Sequence, residues 1–156
     1  NIMITKKQVI KAQNQWAHAV IEIGTIKEDD VCKQCAINFL DELYFFQTGP
    51  VLFKPTMASL QQFRNTKEMA LSYFIGGEDA VCKEDDGFAK TPWIDIKFEN
   101  NNIILDNKRA IAMGNYYFKS NNSDIIKAEY TFGYKLVNGK LKIDLHHSSL
   151  PYSSDS

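Results

Sequence analysis

The hydrophobic period of this chain changes once, near Trp93, and that change limits the fold more than any other feature of the sequence. Before it, apolar residues recur at helical spacing. Val9, Ala12, Trp16, Ala19, Val20 and Ile23 mark one face, and Cys32, Ala36, Phe39, Leu40, Leu43 and Tyr44 mark a second. Thr5 and Gln8 have the spacing of a capping box ahead of the first helix, and Asp29-Asp30 put negative charge at the start of the second. After Trp93 the alternation is every second residue: Ile94, Ile96 and Phe98 against Asp95 and Lys97, then longer runs over 110–118, 125–137 and 140–149. Asn138-Gly139 between the last two runs is a hairpin signal, because both positions of a type I′ turn need a left-handed backbone. Helices first and an antiparallel meander second predict an α+β domain.

Between the two halves, Gly49-Pro50 breaks the chain, and Val51-Leu52-Phe53 reads as a short extended piece. A helical stretch is expected over 57–63 and a better one from a Thr66 cap to Ile75. Asn100-Asn101-Asn102 reads as a turn.

Composition excludes several classes. Lys and Arg total 18 and Asp and Glu total 19, giving a net charge of −1, so the basic excess of a phosphate-reading protein is absent and no nucleic-acid partner is expected. No apolar run reaches the roughly 18 residues of a membrane span. The 3 cysteines, Cys32, Cys35 and Cys82, are too few for a disulfide framework, and one C-x-x-C has no second pair to complete a zinc ribbon. Of the 3 histidines, His146 and His147 are strand neighbours and point to opposite faces, so no metal and no cofactor are expected. The N-terminal Asn1-Ile2-Met3 carries no signal-peptide pattern.

Chemistry is therefore sought in polar side chains facing the core. On the last strand, alternation from Leu141, Ile143 and Leu145 carries His147 and Ser149 inward and turns His146 and Ser148 outward. A core histidine held by a neighbour is the plain reading, and a pocket-lining acid/base the sharper one. Tyr73 falls on the inward face of its helix, and Tyr116 and Tyr130 on the inward faces of their strands. Thr56, after Pro55, stands where the chain changes direction; it serves either the next helix or a pocket.

Several segments together resemble the iota-class carbonic anhydrases. They are Gly49-Pro50-Val51-Leu52-Phe53-Lys54-Pro55-Thr56, the run from Ala70 to Gly77, Ala112-Met113-Gly114-Asn115-Tyr116, the run from Glu129 to Tyr134, and Leu145-His146-His147-Ser148-Ser149-Leu150-Pro151. The last segment is also similar to the association domain of calcium/calmodulin-dependent kinases; the Phe-Lys-Pro-Thr and Ser-Tyr-Phe segments favour the anhydrase. Asn65 departs from the pattern, where a proline is expected.

The resemblance implies a nuclear transport factor 2-like cone, with N-terminal helices packed on a curved antiparallel sheet. It implies reversible hydration of carbon dioxide to bicarbonate without a metal, and a homodimer formed through the sheet. Carried over, Thr56, Tyr73, His147 and Ser149 are the catalytic set, with Trp93, Tyr116 and Tyr130 as further substrate-binding walls. Residues 1–152 are expected to form one catalytic domain and 153–156 a tail. Two other readings share the fold: a non-catalytic association or ligand-binding domain, and an isomerase or hydratase for a larger organic substrate, which needs an inward carboxylate.

Overall fold

The computed structural model describes residues 3–154. Helices α1 (Lys6–Thr25) and α2 (Asp29–Leu43) come first, then a short strand β1 (Leu52–Lys54), helix α3 (Lys67–Ile75) and a single 3₁₀ turn over Phe88–Lys90. Four long strands follow: β2 (Trp93–Leu105), β3 (Arg109–Ser120), β4 (Ile125–Val137) and β5 (Lys140–Ser149). They make one sheet in the order β1-β5-β4-β3-β2. All pairs are antiparallel except β1 with β5, which run parallel. The expected α+β class is what the chain adopts.

Local chemistry explains the ends of these elements. Thr5 accepts from Gln8 N–H while the Gln8 side chain accepts from Thr5 N–H, so the capping box at α1 is complete. Thr66 caps α3 by accepting from Met69 N–H. Asn138 and Gly139 both sit at positive φ, 50° and 80°, as the hairpin reading requires. The core lies between the helices and one face of the sheet. Val9, Trp16, Val20 and Ile23 of α1 and Phe39 and Leu40 of α2 meet Tyr116, Phe118, Tyr130 and Phe132 of the strands.

Two expected elements are different. Segment 57–63 is not helical. The Glu84 carboxylate takes the backbone N–H groups of Ser59, Leu60 and Gln61, so these donors are satisfied without a helical turn. The asparagine run is not a turn: β2 continues through it, with a register shift between Asn100 and Asn102. The bulge leaves the Asn100 amide facing inward, where it exchanges two hydrogen bonds with Gln13 (2.7 and 2.9 Å). Of the tail expected at 153–156, residues 155 and 156 lie outside the described residues.

Candidate active site

The last strand carries a bulge that decides which histidine faces the core. In the β4–β5 ladder Gly133 pairs with Leu145 and Tyr134 with Ile143, leaving Asp144 as an extra residue on β5. A bulge shifts the alternation by one, so every residue beyond it changes face. Asp144 is tied to the Arg109 guanidinium of β3 (Nη1–H to Oδ1 3.0 Å). Gly133 has no side chain to oppose the crowded strand: a Cβ there would lie 2.8 Å from that of Leu145.

Two expected site residues are therefore corrected. His147 is exposed on the outer face of the sheet. The Ser149 hydroxyl donates to the Glu129 carboxylate (2.7 Å), away from the core. His146 and Ser148 point inward instead, 2% and 1% exposed.

His146 is clamped between the rings of Phe132 and Phe53, with centroids 4.0 and 4.9 Å away and near-parallel planes. Burial holds its pKa well below the ordinary 6.5, with a smaller push from the neighbouring His147, so the imidazole is neutral. Its Nδ1 is 2.8 Å from the Tyr44 hydroxyl, and its Nε2 is 3.1 Å from the Tyr116 hydroxyl. Tyr44 follows α2 and is fixed to β5 by a bridge to Ile143. The Trp16 indole N–H of α1 donates to the Tyr44 oxygen (3.0 Å). On the other side, Tyr116 donates to Ser148 Oγ (2.6 Å), and Ser148 Oγ lies 2.5 Å from Thr56 Oγ1.

Thr56 reaches this strand because β1 pairs with β5 through Lys54 opposite His147, and the chain then turns at Pro55. Lys54 supports the join by donating to the Ser148 carbonyl (3.0 Å). Tyr73 of α3 accepts from the Met57 N–H (3.3 Å), which sets its hydroxyl beside Thr56. The loop carrying Thr56 is fastened from below. Fully buried Arg64 forms two 2.7 Å bonds to the Asp85 carboxylate and also donates to the carbonyls of Gln61 and Met69.

Thr56, Tyr73, Tyr116 and His146 line a small cavity together with Pro55 and the rings of Trp16, Phe53, Phe74 and Phe88. The centre of a water-sized sphere has about 10 Å³ in which to move there, about the room of one water molecule. Burial raises the pKa of Tyr73 and Tyr116 well above the ordinary phenol value, so both keep their protons. No carboxylate lines the cavity. Among the described residues no group of three or more His, Cys, Asp or Glu is gathered to hold a metal ion.

Of the sequence candidates, Thr56, Tyr73 and Tyr116 meet at the cavity. Trp93 and Tyr130 do not line it. Trp93 donates to the Phe88 carbonyl (2.8 Å), and Tyr130 donates to Asn100 (2.6 Å) beside Gln13. Sequence reasoning missed Tyr44 and Trp16, which look like ordinary core aromatics in a helical stripe.

A family described as metal-independent carbonic anhydrase matches residues 7–150. The chain belongs to that family. A metal-independent carbonic anhydrase of Nostoc sp. (strain PCC 7120 / SAG 25.82 / UTEX 2576) is 38% identical over 157 residues, spanning 97% of this chain and 76% of the relative. The crystal structure of an iota-carbonic anhydrase from a cyanobacterium, complexed with bicarbonate, matches with a TM-score of 0.92 at 36% identity, over 97% of this chain and 94% of that one. A calcium/calmodulin-dependent protein kinase II association domain from Xanthomonas campestris shares the fold at 21% identity, with a TM-score of 0.67 over 98% and 91% of the two chains. A nuclear transport factor 2-like protein from Shewanella oneidensis shares it at 14%, with a TM-score of 0.61 over 94% and 99%. The fold of this chain is thus that of a nuclear transport factor 2-like protein.

Proposed function

We propose that this carbonic anhydrase hydrates carbon dioxide reversibly in the cavity beneath Thr56, with Thr56, Tyr73, Tyr116, His146 and Ser148 as the working polar groups. The carrying observation is a cavity whose lining combines aromatic rings with the hydroxyls of Thr56, Tyr73 and Tyr116, the first and last of them joined through Ser148. A linear, apolar triatomic molecule suits the aromatic rings, and the developing carbonate oxygens suit the hydroxyls. The bicarbonate complex of the cyanobacterial relative supports the same substrate pair. A larger organic substrate lacks the inward carboxylate it needs, since neither Asp nor Glu lines the cavity.

The surroundings favour a step that leaves no charge behind. The imidazole is held neutral and the phenols are held protonated, so no lining group is poised to ionise near neutral pH. In the reaction we infer, the oxygen of a water attacks the carbon of carbon dioxide. As the C–O bond forms, one water proton passes to Thr56 Oγ1 and the Thr56 proton passes to an oxygen of carbon dioxide. The product is carbonic acid, which loses its proton in solvent to give bicarbonate. The Tyr73 hydroxyl donates to the second oxygen as its charge develops.

The chain forms a homodimer through the outer face of the sheet in this reading. Met113, Ile104 and Leu52 stand 56%, 67% and 64% exposed on the strands. The deciding experiment for function is a stopped-flow hydration assay on protein purified in the presence of a chelator. Acceleration above the buffer rate is expected, and a rate equal to buffer refutes the reading.

A further inference from the structure

We propose that Trp16 and Tyr44 are positioning residues that fix the tautomer of His146 and so orient every hydroxyl between it and the cavity, leaving the Thr56 proton as the one aimed at substrate. The proposal rests on the hydration reading above. It starts from a simple inequality: an indole N–H donates and never accepts. Trp16 therefore presents its proton to the Tyr44 oxygen. The one proton of the Tyr44 hydroxyl has an acceptor in His146 Nδ1, 2.8 Å away. A buried hydroxyl without an acceptor is unfavourable, so the proton goes there, and Nδ1 is the bare nitrogen.

The other end of the chain reaches the same answer independently. Tyr116 donates its only proton to Ser148 Oγ. It then has only a lone pair to offer His146 Nε2, 3.1 Å away, so Nε2 carries the hydrogen. Ser148, having accepted, donates across 2.5 Å to Thr56 Oγ1. Every bond now runs one way, from Trp16 through Tyr44, His146, Tyr116 and Ser148 to Thr56. The Thr56 proton is left for the cavity, where the Tyr73 oxygen is its acceptor until substrate arrives. In the opposite orientation His146 would present Nδ1–H to Tyr44, whose oxygen would already hold the Trp16 proton, and the Tyr44 proton would have nowhere to go.

The test reads the tautomer directly, by long-range proton–nitrogen correlation of the His146 ring in ¹⁵N-labelled protein. The signals are assigned with His18→Asn and His147→Asn variants. At neutral pH the wild type is expected to show a protonated Nε2 and a bare Nδ1; a protonated Nδ1 overturns the proposal. Tyr44→Phe alone keeps the Nε2–H tautomer through Tyr116, and is expected to move the Nδ1 resonance as that nitrogen loses its donor and to lower kcat about tenfold or more, the scale of an outer hydrogen-bond partner, with KM within about twofold. Ser148→Ala releases the other end, so that Trp16 and Tyr44 alone hold the ring; the Nε2–H tautomer is expected to persist in it, and the Nδ1–H tautomer to come into view when Tyr44→Phe is added and Tyr116 is free to donate to Nε2. A tautomer that changes in Ser148→Ala alone, or that is unchanged in the double variant, overturns the proposal. So does an unmoved Nδ1 resonance in Tyr44→Phe. The nitrogen spectrum does not depend on turnover, so an inactive wild type with the expected tautomer refutes the hydration reading and keeps the relay direction.

Discussion

Ser148→Ala and Ser149→Ala, made side by side, separate the bulged strand from a regular one. Ser148 Oγ bridges Tyr116 (2.6 Å) and Thr56 (2.5 Å). Replacing it with alanine keeps the backbone and the Cβ, but takes the 2.6 Å acceptor from the Tyr116 proton at a position 1% exposed. A buried donor left unpaired costs roughly 1–3 kcal/mol. In a chain of this size each kcal/mol moves Tm by roughly 2–4 °C, so the fold survives and the rate can be read. If Ser148 holds the Thr56 donor at the developing oxyanion, its loss resembles removal of one oxyanion-hole donor, about 10²–10³ in rate. Ser149 donates to Glu129 on the other face, and its loss is expected to leave the rate within about twofold, since exposed surface changes move stability by only about 0.5 kcal/mol. The assay is stopped-flow hydration with a pH indicator, with thermal melts run alongside. Two results refute the reasoning: Ser148→Ala within about threefold of wild type, or Ser149→Ala losing as much as Ser148→Ala.

Other expectations follow from the same contacts. Asp85→Ala leaves the buried Arg64 guanidinium with Glu84, 3.7 Å away, as its remaining carboxylate, and is expected to cost up to about 3–5 kcal/mol in chemical denaturation; a loss under about 1 kcal/mol removes the pin from the loop. Because the folded His146 pKa lies below its unfolded value of 6.5, the unfolded chain binds the extra proton on acidification. Stability should be whole above that pH and fall below it, by up to about 1.4 kcal/mol per unit, and His146→Gln should flatten that limb. The buried phenols act at the other end: Tyr73 and Tyr116 have raised pKa values, so stability should fall as pH rises above the ordinary phenol value of 10.0. Light scattering should report twice the 17.8 kDa chain; a monomer across a wide concentration range rules out the dimer.

The period change at Trp93, the two capping signals and the Asn138-Gly139 turn are local, and each survives in the structure because the residues that set it are neighbours in sequence. Thr56, Tyr73 and Tyr116 were legible for a similar reason: each sits at the end or on the clear apolar face of one element. The histidine was misread because face assignment by alternation assumes an unbroken ladder. Asp144 between Ile143 and Leu145 looks like an ordinary outward residue, and only its bond to Arg109, 35 positions away, marks it as a bulge. The sole hint within the sequence is Gly133, a strand glycine of the kind that often accompanies close backbone approach. Segment 57–63 failed in the same way, since Glu84, which satisfies its backbone, lies more than 20 positions further on.

The proposed site also accounts for how hydration is favoured without an ionised group. Zinc lowers the pKa of its bound water to about 7, so that hydroxide attacks. Here the lining is neutral, and in the proposed mechanism the field comes from hydroxyl dipoles held in place before the reaction begins. Dipoles inside a dry aromatic wall act at low dielectric, where each counts for more than it would in water. The same wall makes a charged product unwelcome, which favours departure of carbonic acid or bicarbonate over its retention. An arrangement of this kind depends on orientation, since a hydroxyl turned away from the developing charge contributes nothing and one turned with its lone pair toward it opposes the reaction. That requirement gives a physical use to six hydrogen-bonding side chains in series, from Trp16 to Thr56, of which only the last needs to face the substrate.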